Sequence, residues 1–156
     1  MRKFERISEE QFAKDVNKEN LYNSIEIPVR GTKKSAGYDI KAVGDYVLEP
    51  GATLKIPTGL KVCMDDDDVF LMFIRSSIAT KHQVVLTNNV GVIDADYYNN
   101  PDNEGHFWIV VRNNGNEAFW IRNGDRLCQG IFVKYGITED DNTVTEREGG
   151  FGSTGK

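Results

Sequence analysis

Turn signals recur along this chain at short intervals, and that spacing limits what it can fold into. Glu49-Pro50-Gly51, Pro57-Thr58-Gly59, Asn113-Asn114-Gly115-Asn116 and Asn123-Gly124 leave only short apolar segments between them. Leu54 and Ile56, then Leu60, Val62 and Met64, fall on alternate residues, the period of a half-buried strand. Strands are expected at residues 25–29, 46–48, 52–56, 60–64, 69–74, 106–112, 118–121 and 127–135. Long helices do not alternate with them, which argues against a doubly wound parallel sheet. The expected class is all-β: an antiparallel sandwich, jelly roll or barrel. One short helix is expected first, because Ser8 and Gln11 have the capping-box spacing and Phe12 and Val16 share a face. Residues 17–20 end it.

A chain of 156 residues can bury about 70% of its surface, enough for one core and too little for two domains. Charged residues make up 28% and mean hydropathy is -0.47, so a membrane protein is excluded. The longest apolar run, 69–74, is far shorter than the roughly 20 residues a spanning helix needs. Arg2 and Lys3 precede no apolar stretch, so no signal peptide is expected. A net charge of -5 argues against non-specific nucleic-acid binding. Cys63 and Cys128 are the only cysteines, which implies reduced thiols and a cytoplasmic setting rather than a disulfide framework or zinc site.

Several motifs carry chemistry, each with a plainer alternative. Gly150 to Lys156 fits the Gly-x-x-x-x-Gly-Lys of a P-loop, but no Ser or Thr follows the lysine and no helix can be placed after it. Its glycines could still crowd backbone N–H groups around phosphate, with Ser153 and Thr154 as donors, or form a polar tail. Arg75-Ser76-Ser77 suits phosphate oxygens or an ordinary surface turn. Asp94 and Asp96 are expected on one side of an extended segment, as paired acids or as a solvated hairpin. Gly124-Asp125-Arg126 suggests a turn with an internal ion pair, and Gln129 needs a partner if buried. Residues 65–68, four acids in a row, suggest a solvated turn. His82 and His106 lack metal-ligand spacing and are read as ordinary, and Trp108 and Trp120 are assigned to core or interface.

Taken in order, Ala36-Gly-Tyr-Asp39-Ile, Arg75-Ser-Ser77, Gly91-Val-Ile-Asp94-Ala-Asp-Tyr97, Gly124-Asp-Arg-Leu-Cys-Gln129 and Gly149-Gly-Phe-Gly-Ser-Thr-Gly155 resemble the five motifs of the trimeric dUTPase family. The third and fifth are the specific ones, and the resemblance runs from about residue 25 to the C-terminus. It implies a distorted jelly-roll subunit of a homotrimer with shared active sites. It also implies Mg²⁺-dependent hydrolysis of dUTP to dUMP and pyrophosphate, which keeps uracil out of DNA and supplies dUMP. The divisions it implies are residues 1–24 as a helical extension, 25–146 as the β domain and 147–156 as a glycine-rich lid lent to another subunit.

By this resemblance Asp94 is the catalytic base for the attacking water, and Asp39 an acid of the metal–water network. Tyr97 packs against deoxyribose, and Asn88 with Gly91 and Val92 forms the uracil-reading hairpin. Arg75, Ser76, Ser77 and Gln129 contact phosphates, with Gln129 also near the reaction. Phe151 closes over uracil, while Gly152, Ser153, Thr154 and Arg147 meet the β- and γ-phosphates. Mg²⁺ is held through substrate phosphates and water, with no direct protein ligand assigned. Ser77 stands where the family has glycine, and Arg147 is one residue nearer Phe151 than usual. Residues 98–105 form a longer loop than usual, and residues before 21 are extra. Such additions resemble Gram-positive and phage forms, so a regulatory protein partner bound at residues 98–105 is an alternative role. A dCTP deaminase is a further alternative, disfavoured by Asp94-Ala-Asp-Tyr97.

Overall fold

A computed structural model of the protein describes residues 1–152. Among these, the strands are β1 (Lys3–Arg6), β2 (Tyr38–Lys41), β3 (Tyr46–Leu48), β4 (Thr53–Pro57), β5 (Leu60–Cys63), β6 (Asp68–Ile74), β7 (Val84–Leu86), β8 (Gly91–Asp94), β9 (Trp108–Asn113), β10 (Phe119–Ile121) and β11 (Arg126–Lys134). The helices are α1 (Glu9–Val16) and α2 (Ser76–His82). Every strand pairing is antiparallel, in sheets ordered β1-β5, β10-β3, β2-β11-β6-β8 and β4-β9-β7. The all-β class predicted from the turn spacing is therefore observed. Among the described residues, no helix is long and apolar enough to cross a membrane.

Alternation accounts for the core. β6 points Asp68, Phe70 and Met72 inward, and β9 does the same with Ile109 and Val111. Phe70 meets the rings of Phe4, Phe107 and Phe132. On β11, Gly130 pairs with Met72, diagonal to Phe70, and an added Cβ there would lie 1.9 Å from Phe70 Cζ. The glycine is thus the space that Phe70 fills.

The N-terminal helix starts at Ser8, whose Oγ accepts the Gln11 N–H at 3.1 Å, and stops at Asn17 with φ 47°. The reciprocal half of a capping box is replaced: Ser8 N–H donates to Glu104 Oε2 at 2.9 Å, and the Gln11 amide turns to Asp15. The first 24 residues also contain strand β1, and Ile7 and Phe12 are fully buried in the common core.

Three expectations change. Residues 25–29 form no strand: Pro28 has no N–H to give a ladder, and the local contact is a single bridge between Arg30 and Tyr38. Asp68 is not part of a solvated turn; it is buried on β6 and accepts two hydrogen bonds from Arg2, at 2.7 and 2.6 Å. Arg75-Ser76-Ser77, whose plainer reading is a surface turn, instead leads into a helix: residues 76–82 form α2.

Candidate active site

β8 pairs with β6 so that Gly91 faces Met72 and Asp94 faces Val69. Its alternation buries Gly91 and Ile93 and turns Val92 and Asp94 outward. A Cβ on Gly91 would stand 3.2 Å from the Met72 side chain, a tight fit that Met72 would have to yield to. After Asp94 a 3₁₀ turn, Ala95–Tyr97, swings Asp96 alongside Asp94 and seats the Tyr97 ring at the core's edge. Tyr97 Oη donates to the His106 carbonyl at 3.2 Å and accepts from Asn103 Nδ2 at 2.9 Å. Burial pushes the Tyr97 phenol above its ordinary pKa, against the opposing effects of Asn103 and Arg147, so it stays neutral.

A cavity of about 260 Å³ opens beside these residues, lined by Asn88, Gly91, Val92, Asp94, Tyr97 and Trp108, with Arg147, Phe151 and Gly152 from the tail. Trp108, assigned from sequence to core or interface, is a wall of this cavity. The tail is fastened at three points. Arg147 donates to Asp94 Oδ2 and Asp96 Oδ1, both at 2.7 Å. Gly150 N–H donates to Asp102 Oδ2 at 2.8 Å. Lys55 Nζ lies 5.3 Å from the Phe151 ring centroid and 4.3 Å from that of Trp108, a cation between two π-faces. In the single chain, then, the tail reaches its own chain's pocket, where the Asp94 and Asp96 carboxylates hold Arg147. Ser153 and Thr154 lie outside the described residues.

The remaining predicted residues gather elsewhere. Asp39 on β2 stands opposite Gln129 on β11. Arg75, preceding α2, lies 3.8 Å from Asp39 Oδ1, and Arg126 lies 3.4 Å from Asp39 Oδ2. Ser76 and Ser77 open α2 and are exposed. Gln129 is exposed, so it needs no buried partner. The ion pair expected between Asp125 and Arg126 is not made: Asp125 accepts the Arg122 N–H, which closes the turn, and Arg126 turns to Asp39. Gln129 faces Phe73 on β6, four residues along from Val69, and β8 lies two strands from β11. That offset puts Asp94 roughly 16 Å from Gln129 at ordinary strand spacings. One chain therefore shows a base-and-sugar cluster and, apart from it, a cationic cluster.

Sequence reasoning did not find Lys55, Asp102, Asn103 or the role of His106. His106 is buried; its Nε2 accepts the Gly59 N–H at 2.9 Å and its Nδ1 donates to Asp15 at 2.6 Å. It ties α1 to the stretch that holds Tyr97. The asparagine-rich loop composition of residues 99–103 was the only local signal for any of these contacts.

Comparison with known proteins places the chain in a family. The dUTPase family model matches residues 23–155. The deoxyuridine 5'-triphosphate nucleotidohydrolase of Lactococcus lactis is 49% identical over 133 residues, covering 84% of this chain and 89% of its own. The crystal structure of dUTPase from Streptococcus mutans is 38% identical, with a TM-score of 0.73 over 88% of this chain and 98% of its own. A variant dUTPase from phage phi11 of S. aureus, described with a structural Mg(II) ion, has a TM-score of 0.71 over 92% of this chain and 96% of its own. At 22% identity it speaks to the fold alone. With its family model spanning most of its length and close relatives along the same stretch, the chain belongs to the dUTPase family.

Proposed function

We propose that this protein hydrolyses dUTP to dUMP and pyrophosphate. The observation that carries this reading is a single cavity collecting Asn88, Asp94, Tyr97 and Phe151, within a chain of the dUTPase family. The hairpin from Asn88 to Gly91 takes the uracil edge. The Tyr97 ring lies under the sugar and leaves no room for a 2′-hydroxyl. Asp94 accepts a proton from water as its oxygen bonds to the α-phosphorus and the bond to the departing pyrophosphate breaks. Arg75, with Ser76, Ser77 and Gln129, receives the phosphates, and Arg147 and the residues 152–154 complete the enclosure.

Mg²⁺ belongs to this reading as the partner of the triphosphate. Among the described residues no group of three or more His, Cys, Asp or Glu side chains is placed to hold a metal, and Mg²⁺ commonly keeps waters and substrate phosphates as ligands. Asp39, which lies beside Arg75 and Arg126, is the acid this reading assigns to the metal–water network. When bound, the ion would neutralise phosphate charge.

A homotrimer of distorted jelly-roll subunits with shared sites follows from the same reading. The two clusters are too far apart within one chain to serve one triphosphate. The chain exposes 9489 Å², against about 7,900 Å² for a compact protein of its mass. Ile27, Val29 and Ile137 remain exposed in the isolated chain. The division into residues 1–24, 25–146 and 147–156, and a cytoplasmic location with both thiols free, complete the proposal. The loop 98–105 is engaged with Ser8, Tyr97 and the tail, so it favours a role in the site over docking a regulatory protein.

The test is to incubate the protein with Mg²⁺ and each of dUTP, dTTP, dCTP and UTP and to measure pyrophosphate. Release from dUTP alone supports the reading. Comparable turnover of dCTP or UTP overturns it.

A further inference from the structure

We propose that Asn103 is a positioning residue for sugar selection, acting through the hydroxyl of Tyr97. The inference rests on the reading of Tyr97 as the wall that excludes a 2′-hydroxyl. An aromatic wall rejects one added oxygen only if its ring cannot tilt, and small misplacements at such a site carry large kinetic effects. The Tyr97 hydroxyl is the handle by which that tilt is fixed, and its acceptor side is held by Asn103 Nδ2 at 2.9 Å.

The orientation of the Asn103 amide follows from its other partners. Its Nδ2 also donates to the His106 carbonyl at 3.2 Å, while its Oδ1 accepts from Asn100 Nδ2 at 2.8 Å and from Gly105 N–H at 3.1 Å. A flipped amide would set oxygen against a carbonyl and nitrogen against two donors. The loop is in turn closed onto Tyr97 itself. Asn100 Nδ2 donates to the Tyr97 carbonyl at 2.8 Å, and Asn100 Oδ1 accepts the N–H groups of Asp102 and Asn103. Gly105, at φ 87°, passes so near that a Cβ would lie 2.7 Å from the Tyr97 carbonyl oxygen. The longer loop thus begins and ends against Tyr97 and presents a fixed N–H to its phenol.

Asn103→Asp tests this directly, because it keeps an oxygen for Asn100 and Gly105 but can only accept from the Tyr97 hydroxyl, which draws the phenol O–H away from the His106 carbonyl and changes how the ring is held. The quantity to measure is kcat/KM for dUTP divided by kcat/KM for UTP, in the parent protein, Asn103→Asp, Tyr97→Phe and the double variant. We expect Asn103→Asp to lower the ratio roughly tenfold, the size of one hydrogen bond whose loss leaves a partner, here the His106 carbonyl, unpaired. In the Tyr97→Phe background the same change should move the ratio less than about twofold, since the hydroxyl it acts through is gone. An unchanged ratio, an equal loss for both substrates, or an equally large effect without the hydroxyl would overturn the proposal. Should Asn103→Asp not fold, Asn103→Ala enters the same cycle with the same criteria. A parent protein that turns over UTP as well as dUTP would instead overturn the reading of Tyr97.

Discussion

Arg147 and Asp94 are joined at 2.7 Å, and the same guanidinium spans to Asp96 at 2.7 Å. The fork of the guanidinium suits two carboxylates held side by side by the turn after β8. The proposed base is therefore already paired with a cation. A triphosphate brings competing anionic oxygens, and transfer of Arg147 to them would free Asp94. Both carboxylates are more than half exposed, at 55% and 58%, so salt should weaken the pairing. Trypsin cleavage at Arg147, normalised to a control peptide, should rise between about 0.05 and 0.5 M salt. It should slow when a non-hydrolysable dUTP analogue and Mg²⁺ are added. Cleavage indifferent to both would show that this contact does not hold the tail.

Asp94→Asn preserves size and removes the proton acceptor. Its kcat should fall about 10²- to 10⁴-fold. Binding of the analogue, followed by calorimetry, should persist, because base, sugar and phosphate contacts lie on other residues. Near-normal turnover would exclude Asp94 as the base.

Acid should loosen the region behind Tyr97. Burial pushes the His106 imidazole below its ordinary pKa, against the opposing pull of Asp15. The geometry demands the neutral ring, since Nε2 accepts a backbone N–H. An unfolded chain gains this proton near pH 6.5 and the folded one only lower, so stability is lost as pH falls below about 6.5. Burial also opposes charge on Asp15, but the hydrogen bonds from His106 and Gln11 prevail and hold it low, which adds a loss at still lower pH. The melting temperature should drop between about pH 7.5 and 5.5 in the parent protein and less steeply in His106→Gln. Parallel slopes would remove His106 as the cause.

Gly130→Ala should destabilise the fold without touching a proposed substrate contact. The new methyl meets the Phe70 ring at 1.9 Å, and Phe70 is fully buried. Overpacking of this kind costs about 1–3 kcal/mol or more, visible as a fall of several degrees in melting temperature. Combining it with Phe70→Leu should recover part of the loss. A neutral Gly130→Ala would mean that β11 and β6 can separate more easily than their register implies.

The elements legible in the sequence were those whose causes are local. Ser8 and Asn17 bound α1 through their own side chain and backbone, and the strand Tyr46 to Leu48 stops where the Glu49-Pro50-Gly51 turn signal predicts. β1 escaped because its one large apolar residue, Phe4, gains its value only from Phe70, Phe132 and Tyr38, all distant in sequence. At the site, Asp94, Tyr97 and Asn88 could be picked out because their motif is compact. Asn103, Lys55 and Asp15 could not, since each acts through a partner on another element. Arg126 shows the same limit: proximity in sequence suggested Asp125, and the sheet delivered Asp39.

Between Lys134, which ends β11, and Arg147 lie residues 135–146, exposed and without helix or strand. A tether of that length spans at most about 40 Å, ample for the pocket of its own chain or that of an adjoining copy. The three fastenings of the tail would be identical in either arrangement, so their strength cannot choose between them. The choice falls to effective concentration: how often the tether's free end visits each pocket. Lengthening or stiffening residues 135–146 would then redistribute tails among pockets while leaving every contact at the site intact, separating the geometry of sharing from the chemistry of closure.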